Sequence, residues 1–556
     1  MTATAEQFTV RHRETLDRAL QAIRERAFWT PYPEMPKAYG EQAAADGKAA
    51  YDGYLGGPFP LTQPGTDELV GAEKSPYGLD LGVTYPHPDL DVLLPAMQAA
   101  MPQWRDAGPD ARATVLIEAL ARLNARTNEI AHAVHHTSGQ AFGMAFQAGG
   151  PHAQDRGLEA VAYAYAAQTA QVAAAEWEKP QGPKPALKMA KKFTAVPRGI
   201  GLVIGCNTFP TWNSYPGLFA SLATGNAVVV KPHPNAILPL AITVAVLRDT
   251  LAEAGFDPNL VALAVEKPGE GLAKVLATRP EVRVIDYTGS TEFGQWLERN
   301  APQAVVYTEK AGINTVIVDS VADDYKGMLG NLAFSFSLYS GQMCTTPQNI
   351  FVPRDGITVA GEHKSFDDFA SDLAGAVEKL LGDDARANAL LGAVCNAGVS
   401  ERLKQAESVG KTVLASRTVA NPEYPDAQVR TPLIAAIDAA DTAVYTGEWF
   451  GPISFLIAAD STDAAIETFR KTVSEHGAIT ASVYSTDDDV IAKTEDAALD
   501  AGVNLSVNLT GGVYVNQSAA FSDFHATGAN PAANSALSDL AYVANRFRVV
   551  QSRRHI

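Results

Sequence analysis

Two residues of this chain, Glu309 and Cys344, are of the types that carry out thiol-based catalysis. Glu309 ends the apolar segment "VVYTE", and Cys344 lies in "YSGQMCTTPQ", directly after Gly-Gln-Met. A cysteine thiolate attacks electrophilic carbon, and a nearby carboxylate can accept protons. Each has a structural alternative, because a cytosolic thiol is more commonly buried filler and a carboxylate at a strand end can cap a loop. They are the candidate nucleophile and base.

Three further segments are candidates for binding an anionic or nucleotide ligand. Lys231 ends the strand-like "AVVVKP", and a lysine there would lie at the carboxyl edge of a parallel sheet, where doubly wound folds bind ligands. Gly289 and Ser290 lie in "DYTGSTEFG", which predicts a helix N-terminus suited to a pyrophosphate. "GEWFGP", which begins at Gly447, could be a simple turn. A solvent-facing lysine and an unliganded cap are the alternatives, and the absence of G-x-G-x-x-G at this junction argues against an ordinary Rossmann site.

The elements that would position these residues follow an α/β pattern. From residue 200 to about 310, short β-branched runs alternate with helical segments, which predicts βαβ units and a mostly parallel sheet. "NTVIVDS" opens a second such stretch, which contains Cys344 and extends to about residue 480. An alanine-rich helical region precedes both stretches. At the N-terminus, Leu16, Leu20, Ile23 and Phe28 lie near helical spacing and predict an amphipathic helix.

Composition narrows the class of protein. A length of 556 residues predicts two or three domains, and 46% apolar with 19% charged residues is typical of a globular enzyme. The formal net charge of −18 disfavours nucleic acid and anionic membranes as partners. Three scattered cysteines, Cys206, Cys344 and Cys395, predict neither disulfides nor a metal site. With no signal-peptide core and no apolar run long enough for a bilayer, we expect a cytoplasmic protein.

The order of these segments resembles the aldehyde dehydrogenase superfamily from about Leu90 to the C-terminus. The segments that carry the resemblance are "GLVIGCNTFP", "AVVVKP", "TGSTEFG", "YTEKAG", "SGQMC" and "GEWFGP". The interval of 35 residues between Glu309 and Cys344 is close to the family's usual one. The long N-terminal arm and the ending "AAFSDFHATGANPAANSALSDLAYVANRF" resemble the PaaN proteins of phenylacetic acid degradation more particularly.

The resemblance implies an α/β fold with a parallel-sheet cofactor domain, an α/β catalytic domain, small oligomerisation strands and an N-terminal helical extension. The expected boundaries are residues 1–89 for the extension, 90–178 with 200–308 for the cofactor domain, 309–515 for the catalytic domain, and 179–199 with 516–556 for the oligomerisation strands and tail. A homodimer or larger homo-oligomer is expected, since edge strands of this kind are usually covered by a partner.

The resemblance also implies roles for single residues. Cys344 would be the nucleophile, Glu309 the base, Lys231 a contact of the adenosine ribose, Gly289 and Ser290 the pyrophosphate end, Glu448 the partner of the nicotinamide ribose and Phe450 its neighbour. The family's Pro-Trp-Asn-Phe-Pro reads Cys206-Asn207-Thr208-Phe209-Pro210 here. The oxyanion donor is therefore Asn207 or Thr208, with Asn207 slightly favoured.

Cofactor preference is predicted from a missing acid. Pro234 stands where the family often has an acidic residue, three positions after the cofactor lysine. An acid there would accept the ribose 2′-hydroxyl and repel a 2′-phosphate. With Lys231 and His233 nearby and no acid, we expect NADP⁺ to be preferred and NAD⁺ to be an alternative cofactor.

The expected function is oxidation of an aldehyde to a carboxylic acid through a thioacyl intermediate on Cys344. The substrate implied by the resemblance is a ring-cleavage aldehyde of aromatic catabolism, with or without a coenzyme A carrier. Two alternatives keep the fold: a CoA-acylating dehydrogenase and a catalytically idle scaffold. His525, in "FSDFHATG", could contact the substrate, but a structural role is favoured.

Overall fold

The computed structural model describes residues 3–310 and 312–556, and its first part is a helical arm. The arm contains α1 (Ala3–Glu25), a 3₁₀ turn (Pro36–Tyr39), α2 (Ala43–Asp52) and the antiparallel pair β1 (Thr66–Val70) and β2 (Tyr85–Pro88). Leu16 and Ile23 are buried and Leu20 is partly buried, as the helical spacing predicted. Phe28 was wrongly placed on that face, because the helix ends before it and its side chain is 70% exposed.

Five helices and a hairpin connect the arm to the first large sheet. They are α3 (Leu90–Asp106), α4 (Gly108–Ala125), α5 (Thr127–Ser138), α6 (Phe142–Gly149), α7 (Pro151–Thr169), β3 (Ala174–Gln181) and β4 (Lys184–Pro197). Most residues of α4, α5 and α7 are buried, because alanine-rich helices can pack closely on several sides. Gly139 ends α5 in the left-handed region, with φ of 78°, where glycine carries little strain.

The first sheet has five parallel strands. Its elements are β5 (Ile200–Ile204), α8 (Pro210–Ala223), β6 (Ala227–Lys231), α9 (Leu238–Glu253), β7 (Val261–Leu263), α10 (Leu272–Ala277), β8 (Val282–Thr288), α11 (Thr291–Asn300) and β9 (Val305–Glu309), with a 3₁₀ turn at Pro258–Leu260. The strand order is β7-β6-β5-β8-β9. The order reverses between β5 and β8, and the carboxyl edge at such a switch point is where these folds bind ligands.

The second sheet has seven strands in the order β15-β18-β19-β12-β10-β20-β21, with an antiparallel edge at β15. The segment contains β10 (Thr315–Val318), β11 (Ser320–Val321), α12 (Tyr325–Ser337), β12 (Asn349–Pro353), β13 (Ile357–Val359), β14 (Glu362–Lys364), α13 (Phe366–Leu381), α14 (Asp384–Leu390), α15 (Ala397–Ala406), β15 (Lys411–Leu414), β16 (Thr418–Val419), β17 (Val429–Arg430), β18 (Leu433–Asp438), α16 (Thr442–Tyr445), β19 (Ile453–Ala459), α17 (Thr462–His476), β20 (Thr480–Tyr484), α18 (Asp488–Ala501) and β21 (Asn504–Val507). Separate apolar clusters line its two faces.

The chain ends in α19 (Leu540–Ala544) and β22 (Phe547–His555), and β22 returns to pair with β4. Together with β3 these strands make a small antiparallel sheet in the order β22-β4-β3. After Phe547 the residues of β22 are exposed, among them Val549 and Val550. Among the residues described, no helix combines the length and the apolar character that crossing a membrane requires.

These sheets confirm the predicted α/β fold with two α/β units and small additional strands. The parallel pairs β5–β6 and β5–β8 form because their β-branched residues are buried on both faces of the sheet. The residue boundaries proposed for the domains stay a prediction.

Candidate active site

Cys344 lies in a tightly folded loop between α12 and β12. A 3₁₀ turn (Leu338–Gly341) precedes it, in which Tyr339 and Ser340 adopt φ of 54° and 51°. A Cβ on Gly341 would lie 2.4 Å from the carbonyl oxygen of Gly451, so only glycine fits there. Non-glycine residues in the left-handed region carry strain that the surrounding structure must hold, and such strain is concentrated at functional sites.

Hydrogen bonds from several elements hold this loop. Ser340 Oγ donates to the carbonyl of Gly392 at 3.0 Å, and Gln342 Nε2 donates to the carbonyl of Ala393 at 3.0 Å. Asn314 Nδ2 donates to the carbonyl of Cys344 itself at 2.7 Å. The backbone of Cys344 is therefore fixed from the start of the second sheet, which preorganises the thiol.

Glu309 ends β9, is buried, and lies next to Cys344. The site also contains His525, whose Nε2 lies 3.2 Å from Glu309 Oε1 and 3.7 Å from Cys344 Sγ. One ligand-type atom from each of the three residues lies within 4.8 Å of the other two. The structure thus brings the predicted nucleophile and base together. His525, 181 residues along the chain from Cys344, thus lies beside the thiol, in agreement with the alternative that it contacts the substrate. The preference for a structural role stays a prediction.

The packing of Cys344 and Glu309 determines their protonation states in the absence of substrate. Burial raises the pKa of the Cys344 thiol well above its usual value, and the adjacent Glu309 charge raises it further. Burial alone would raise the pKa of Glu309, but His525 and hydrogen bonds from Cys344 and Asn213 lower it overall. The site therefore rests as a neutral thiol beside an ionised carboxylate, which can accept the thiol proton.

The structure places Asn213, rather than the two predicted oxyanion donors, at the catalytic cavity. Asn207 is buried and its Nδ2 donates to the carbonyl of Thr137 at 3.0 Å. The carbonyl of Thr208 accepts from Gln140 Nε2 at 2.7 Å. Asn213 lines the cavity together with Cys344, and its Nδ2 donates to Glu309 Oε2 at 3.3 Å. The preference for Asn207 is corrected accordingly, because its amide already serves the scaffold.

Sequence reasoning missed Asn213 because it looked only within the loop before α8. The backbone N–H of Asn213 donates to the carbonyl of Phe209 at 3.1 Å, so the two residues are one helical turn apart. A search for amides one turn into the helix that follows β5 could have found it.

The predicted cofactor lysine has an acidic partner. Lys231 ends β6, is buried, and its Nζ lies 2.7 Å from Glu266 Oε1. Burial lowers the pKa of Lys231, and Glu266 partly opposes this shift. Glu266 Oε2 also accepts from the N–H of Leu272 at 3.0 Å, at the start of α10. The prediction of NADP⁺ assumed that no acidic residue lies near Lys231. That assumption was wrong, because Glu266 contacts the lysine. His233 lies close by, and burial lowers its pKa to about 4.

The loop after β8 has the features that a pyrophosphate needs. A Cβ on Gly289 would lie 2.4 Å from Tyr287 Oη, so a larger residue does not fit. Its N–H donates to the carbonyl of Glu309 at 3.1 Å, which links this loop to the catalytic carboxylate. Ser290 caps α11, accepting from the N–H of Phe293 at 3.4 Å. A capped helix N-terminus beside a glycine, at the carboxyl edge of the sheet, fits a dinucleotide phosphate.

Glu448 and Phe450 line a narrow cleft on the other side of the catalytic loop. The cleft is also lined by Gly341 and Met343, and Met343 contributes to the large cavity as well. The carbonyl of Phe450 accepts from Arg402 Nε at 2.9 Å, which fixes this turn. Met343, the residue before Cys344, thus borders both spaces, and the cleft is lined by the two residues to which the resemblance assigns the nicotinamide ribose.

A cavity of about 740 Å³ opens onto Cys344. Its walls come from the N-terminal arm, from α6 to α8, from α12 and from the loop 512–525. Many of its lining residues are aromatic: Phe28, Trp29, Phe142, Phe146, Phe209, Trp212, Phe334 and Tyr514. A cavity of this size and lining can hold a substrate with an apolar or aromatic body.

Comparison with known proteins agrees with this geometry. The profile of the aldehyde dehydrogenase family matches residues 86–538. The crystal structure of an NAD-dependent aldehyde dehydrogenase from Burkholderia multivorans is 59% identical, matches over 99% of both chains and has a TM-score of 0.97.

More distant curated relatives are also aldehyde dehydrogenases by name. N-succinylglutamate 5-semialdehyde dehydrogenase of Burkholderia lata is 26% identical over 426 residues, which cover 74% of this chain and 79% of the relative. Vanillin dehydrogenase of Pseudomonas fluorescens is 25% identical over 415 residues, which cover 72% and 77%. Because the family profile spans most of the chain, this protein belongs to the aldehyde dehydrogenase family.

Proposed function

We propose that this protein oxidises an aldehyde to a carboxylic acid, with Cys344 as nucleophile and Glu309 as base. The observation that carries the proposal is the cluster of Cys344, Glu309 and His525, of which Cys344 and His525 line a substrate-sized cavity. The thiol proton passes to the Glu309 carboxylate as the sulfur adds to the aldehyde carbon, forming a hemithioacetal. The backbone N–H of Cys344 and the amide of Asn213 are the proposed oxyanion donors.

A nicotinamide cofactor bound beside Cys344 would supply the acceptor for the hydride that leaves the substrate carbon. Lys231, His233, Gly289 and Ser290 would hold its adenosine and phosphate parts, and Glu448 with Phe450 its nicotinamide ribose. Cys344 would then carry the acyl group as a thioester, an electrophile that water can hydrolyse because the thiolate is a good leaving group. Glu309 first releases the thiol proton to solvent, so that its carboxylate can take a proton from that water as the oxygen adds to the thioester carbon. The C–S bond then breaks, the acid leaves, and the thiolate of Cys344 takes the proton back from Glu309. Loss of one oxyanion donor typically costs about 3–4 kcal/mol of transition-state stabilisation.

We propose NAD⁺ as the preferred cofactor, in place of the NADP⁺ expected earlier. Glu266 holds the Lys231 ammonium at 2.7 Å, so a 2′-phosphate arriving there would meet a carboxylate. The Burkholderia multivorans enzyme, 59% identical, is named as NAD-dependent, which supports this choice.

The cavity lining favours an uncharged aldehyde with an aromatic or extended apolar body. The described lining residues include the carboxylates Glu34, Asp155 and Asp523. The arginine among them, Arg156, is already paired with Glu159 at 2.7 Å, and His152 Nε2 lies 3.3 Å from Glu34 Oε1. A coenzyme A carrier brings several phosphates, for which this lining offers no unpaired cation. This disfavours a CoA-linked substrate and the CoA-acylating alternative.

The finer assignments belong to the same proposal. A ring-cleavage aldehyde of aromatic catabolism fits the aromatic lining, and the likeness to PaaN proteins supports phenylacetate degradation as the setting. Exposed Val549 and Val550 on β22 support the expected homo-oligomer.

Replacing Cys344 by alanine tests the nucleophile. Cys344→Ala is expected to abolish NADH production from every aldehyde of a panel while cofactor binding, measured by fluorescence titration, stays intact. Cys395→Ala, the same change at another free cysteine, is expected to retain activity. Turnover by Cys344→Ala would overturn the mechanism. If the Cys344 thiol of the parent protein does not react with iodoacetamide, the catalytically idle scaffold is favoured instead.

The product distinguishes hydrolysis from CoA acylation. Mass analysis with and without added coenzyme A shows whether the product is a carboxylic acid or a CoA thioester.

A further inference from the structure

His525 is held by contacts that point its Nε2 at the reacting atoms. Its ring packs edge-on against Trp212 with centroids 4.7 Å apart, and its Nδ1 lies 3.4 Å from Ser518 Oγ. Its carbonyl accepts from the N–H of Leu537 at 3.0 Å, which fixes the backbone. Only 3% of the His525 side chain is exposed. The imidazole therefore has little freedom to leave this position.

The Nε2 atom of His525 lies near two groups that can accept a hydrogen bond. Glu309 Oε1 lies 3.2 Å away and Cys344 Sγ lies 3.7 Å away. Nε2 and Sγ are within hydrogen-bond reach of each other, whereas Glu309 Oε1 lies beside Nε2 but is buried without a hydrogen-bond partner. In the tautomer that carries its proton on Nε2, this N–H faces both the sulfur and the carboxylate oxygen.

A thiolate that forms beside a carboxylate is destabilised by charge repulsion, and a hydrogen bond from the His525 N–H can offset this repulsion. If the sulfur loses its proton while the carboxylate remains charged, two negative charges face each other in a buried site. If the proton passes from Sγ to Glu309, one negative charge is left on sulfur and needs a donor. Nε2–H lies close enough to the sulfur to donate to the thiolate.

We propose that His525 is a third catalytic residue, whose Nε2–H donates to Cys344 Sγ and stabilises the thiolate while the thiol proton rests on Glu309. The S–H bond breaks, an O–H bond forms on Glu309, and His525 keeps its own proton throughout. Glu309 then releases the thiol proton to solvent before it takes a proton from water, and the same N–H is again close to both groups. This inference rests on the proposed function, since it assigns the partner of the same nucleophile.

Other charged groups around the cluster also affect how the reactivity of Cys344 depends on pH. Arg156 Nη2 lies 3.1 Å from Ser518 Oγ, and Arg156 is paired with Glu159 at 2.7 Å. The charges of Cys206 and Glu448 act on Cys344, and each raises the pKa of its thiol. Asp523 lies in the same loop and accepts from the N–H of Ala519 at 2.8 Å. None of these is replaced in the test below, so their effect is common to all variants.

The test measures thiolate formation without an aldehyde. The rate of Cys344 alkylation by iodoacetamide is followed from pH 5 to pH 10 in the full-length protein with EDTA present, so that no metal can occupy the three donors. His525→Phe keeps a ring of similar size and removes the N–H. We expect its alkylation rate at pH 7 to fall about tenfold or more, with the profile moved to higher pH. His525→Gln keeps an N–H near the same place and is expected to recover part of the rate.

A control variant and two folding checks separate an effect of His525 on the thiol from a general loss of structure. His476→Gln, at a half-exposed histidine that ends α17, is expected to match the parent protein. Cofactor binding and the thermal midpoint show that each variant is folded, and if His525→Phe is not, the comparison rests on His525→Gln and His525→Asn. Unchanged alkylation profiles in folded His525 variants would overturn the proposal. If Cys344→Ala is inactive while His525→Phe behaves like the parent, the proposal for His525 fails and the proposed function stands.

Discussion

At the scale of single residues, this site combines side chains that are far apart in the chain. Glu309 and Cys344 could be predicted from the sequence because each follows a recognisable strand or turn signal. Asn213, Glu266 and His525 could not, because their roles depend on which segments meet at the carboxyl edge of the sheet. His525 reaches Cys344 only after the chain has completed the second sheet, so no local pattern indicates the contact.

Glu266 gives a prediction about cofactor choice. In Glu266→Gln the carboxylate that holds Lys231 is lost, so Lys231 becomes available to a 2′-phosphate. We expect the ratio of kcat/KM for NADP⁺ to that for NAD⁺ to rise about tenfold, equivalent to about 1.4 kcal/mol. Steady-state kinetics with both cofactors and one fixed aldehyde measures this ratio.

Glu270→Gln is the matched control for Glu266. Glu270 lies in the same loop and its charge also acts on Lys231, but its carboxylate contacts His87 Nε2 at 3.0 Å, whereas Glu266 contacts Lys231 directly. We expect this variant to change the cofactor ratio much less. A parent protein that already prefers NADP⁺, or a Glu266→Gln variant with an unchanged ratio, would contradict the assignment.

At the scale of elements, the N-terminal arm is a wall of the substrate cavity as well as a covering for α4 and α7. Arg26, just after α1, donates to the hydroxyl of Tyr163 at 2.8 Å and lies near Glu159. Glu159 in turn accepts from the N–H of Phe521 at 2.9 Å. The buried carboxylate thus ties the arm to the loop that carries His525. The helical spacing of apolar residues predicted α1. The segment after α1 that contains Phe28 and Trp29 has no such periodicity, so its place in the cavity wall could not be predicted from the sequence.

The arm should therefore affect substrate binding more than chemistry. Trp29 lines the cavity and packs edge-on against Phe521 with centroids 5.1 Å apart. We expect Trp29→Ala to raise KM for a bulky aromatic aldehyde about tenfold, since a lost aromatic contact costs about 0.5–1.5 kcal/mol. A two-carbon aldehyde should be affected little, because it does not reach the outer wall. Kinetics with both substrates gives the comparison.

Val10→Ala provides the matched truncation, because Val10 is on the same arm, 83% exposed and outside the cavity lining. It should leave both KM values unchanged. The alkylation rate of Cys344 should stay the same in both arm variants. Equal losses for the large and the small aldehyde in Trp29→Ala would mean that the arm acts on the catalytic loop instead.

At the scale of the whole molecule, a buried ion pair joins the C-terminal segment to the first sheet. Asp286 lies in the middle of β8, and its Oδ2 accepts from Arg546 Nη1 at 2.7 Å while its Oδ1 accepts from Tyr542 Oη at 2.7 Å. Arg546 is fully buried and lies 4.2 Å from the centre of the Tyr542 ring. Burial alone would lower the pKa of Arg546, but Asp286 and Tyr542 raise it, so the guanidinium stays charged. The chain end is thereby held against the strand that leads to Gly289 and Ser290.

Removing one partner of this pair should destabilise the fold strongly. Arg546→Met leaves the Asp286 carboxylate buried without its cation, which typically costs about 3–5 kcal/mol. We expect the thermal midpoint, measured by calorimetry at a fixed scan rate, to fall by several degrees. The double variant Asp286→Asn with Arg546→Met should recover part of the loss, because it removes the unpaired charge. Lys493→Met breaks an exposed pair, Lys493 with Asp463 at 2.7 Å, and should change the midpoint little. If Arg546→Met and Lys493→Met had equal midpoints, the buried pair would not be what holds the C-terminal segment on the first sheet.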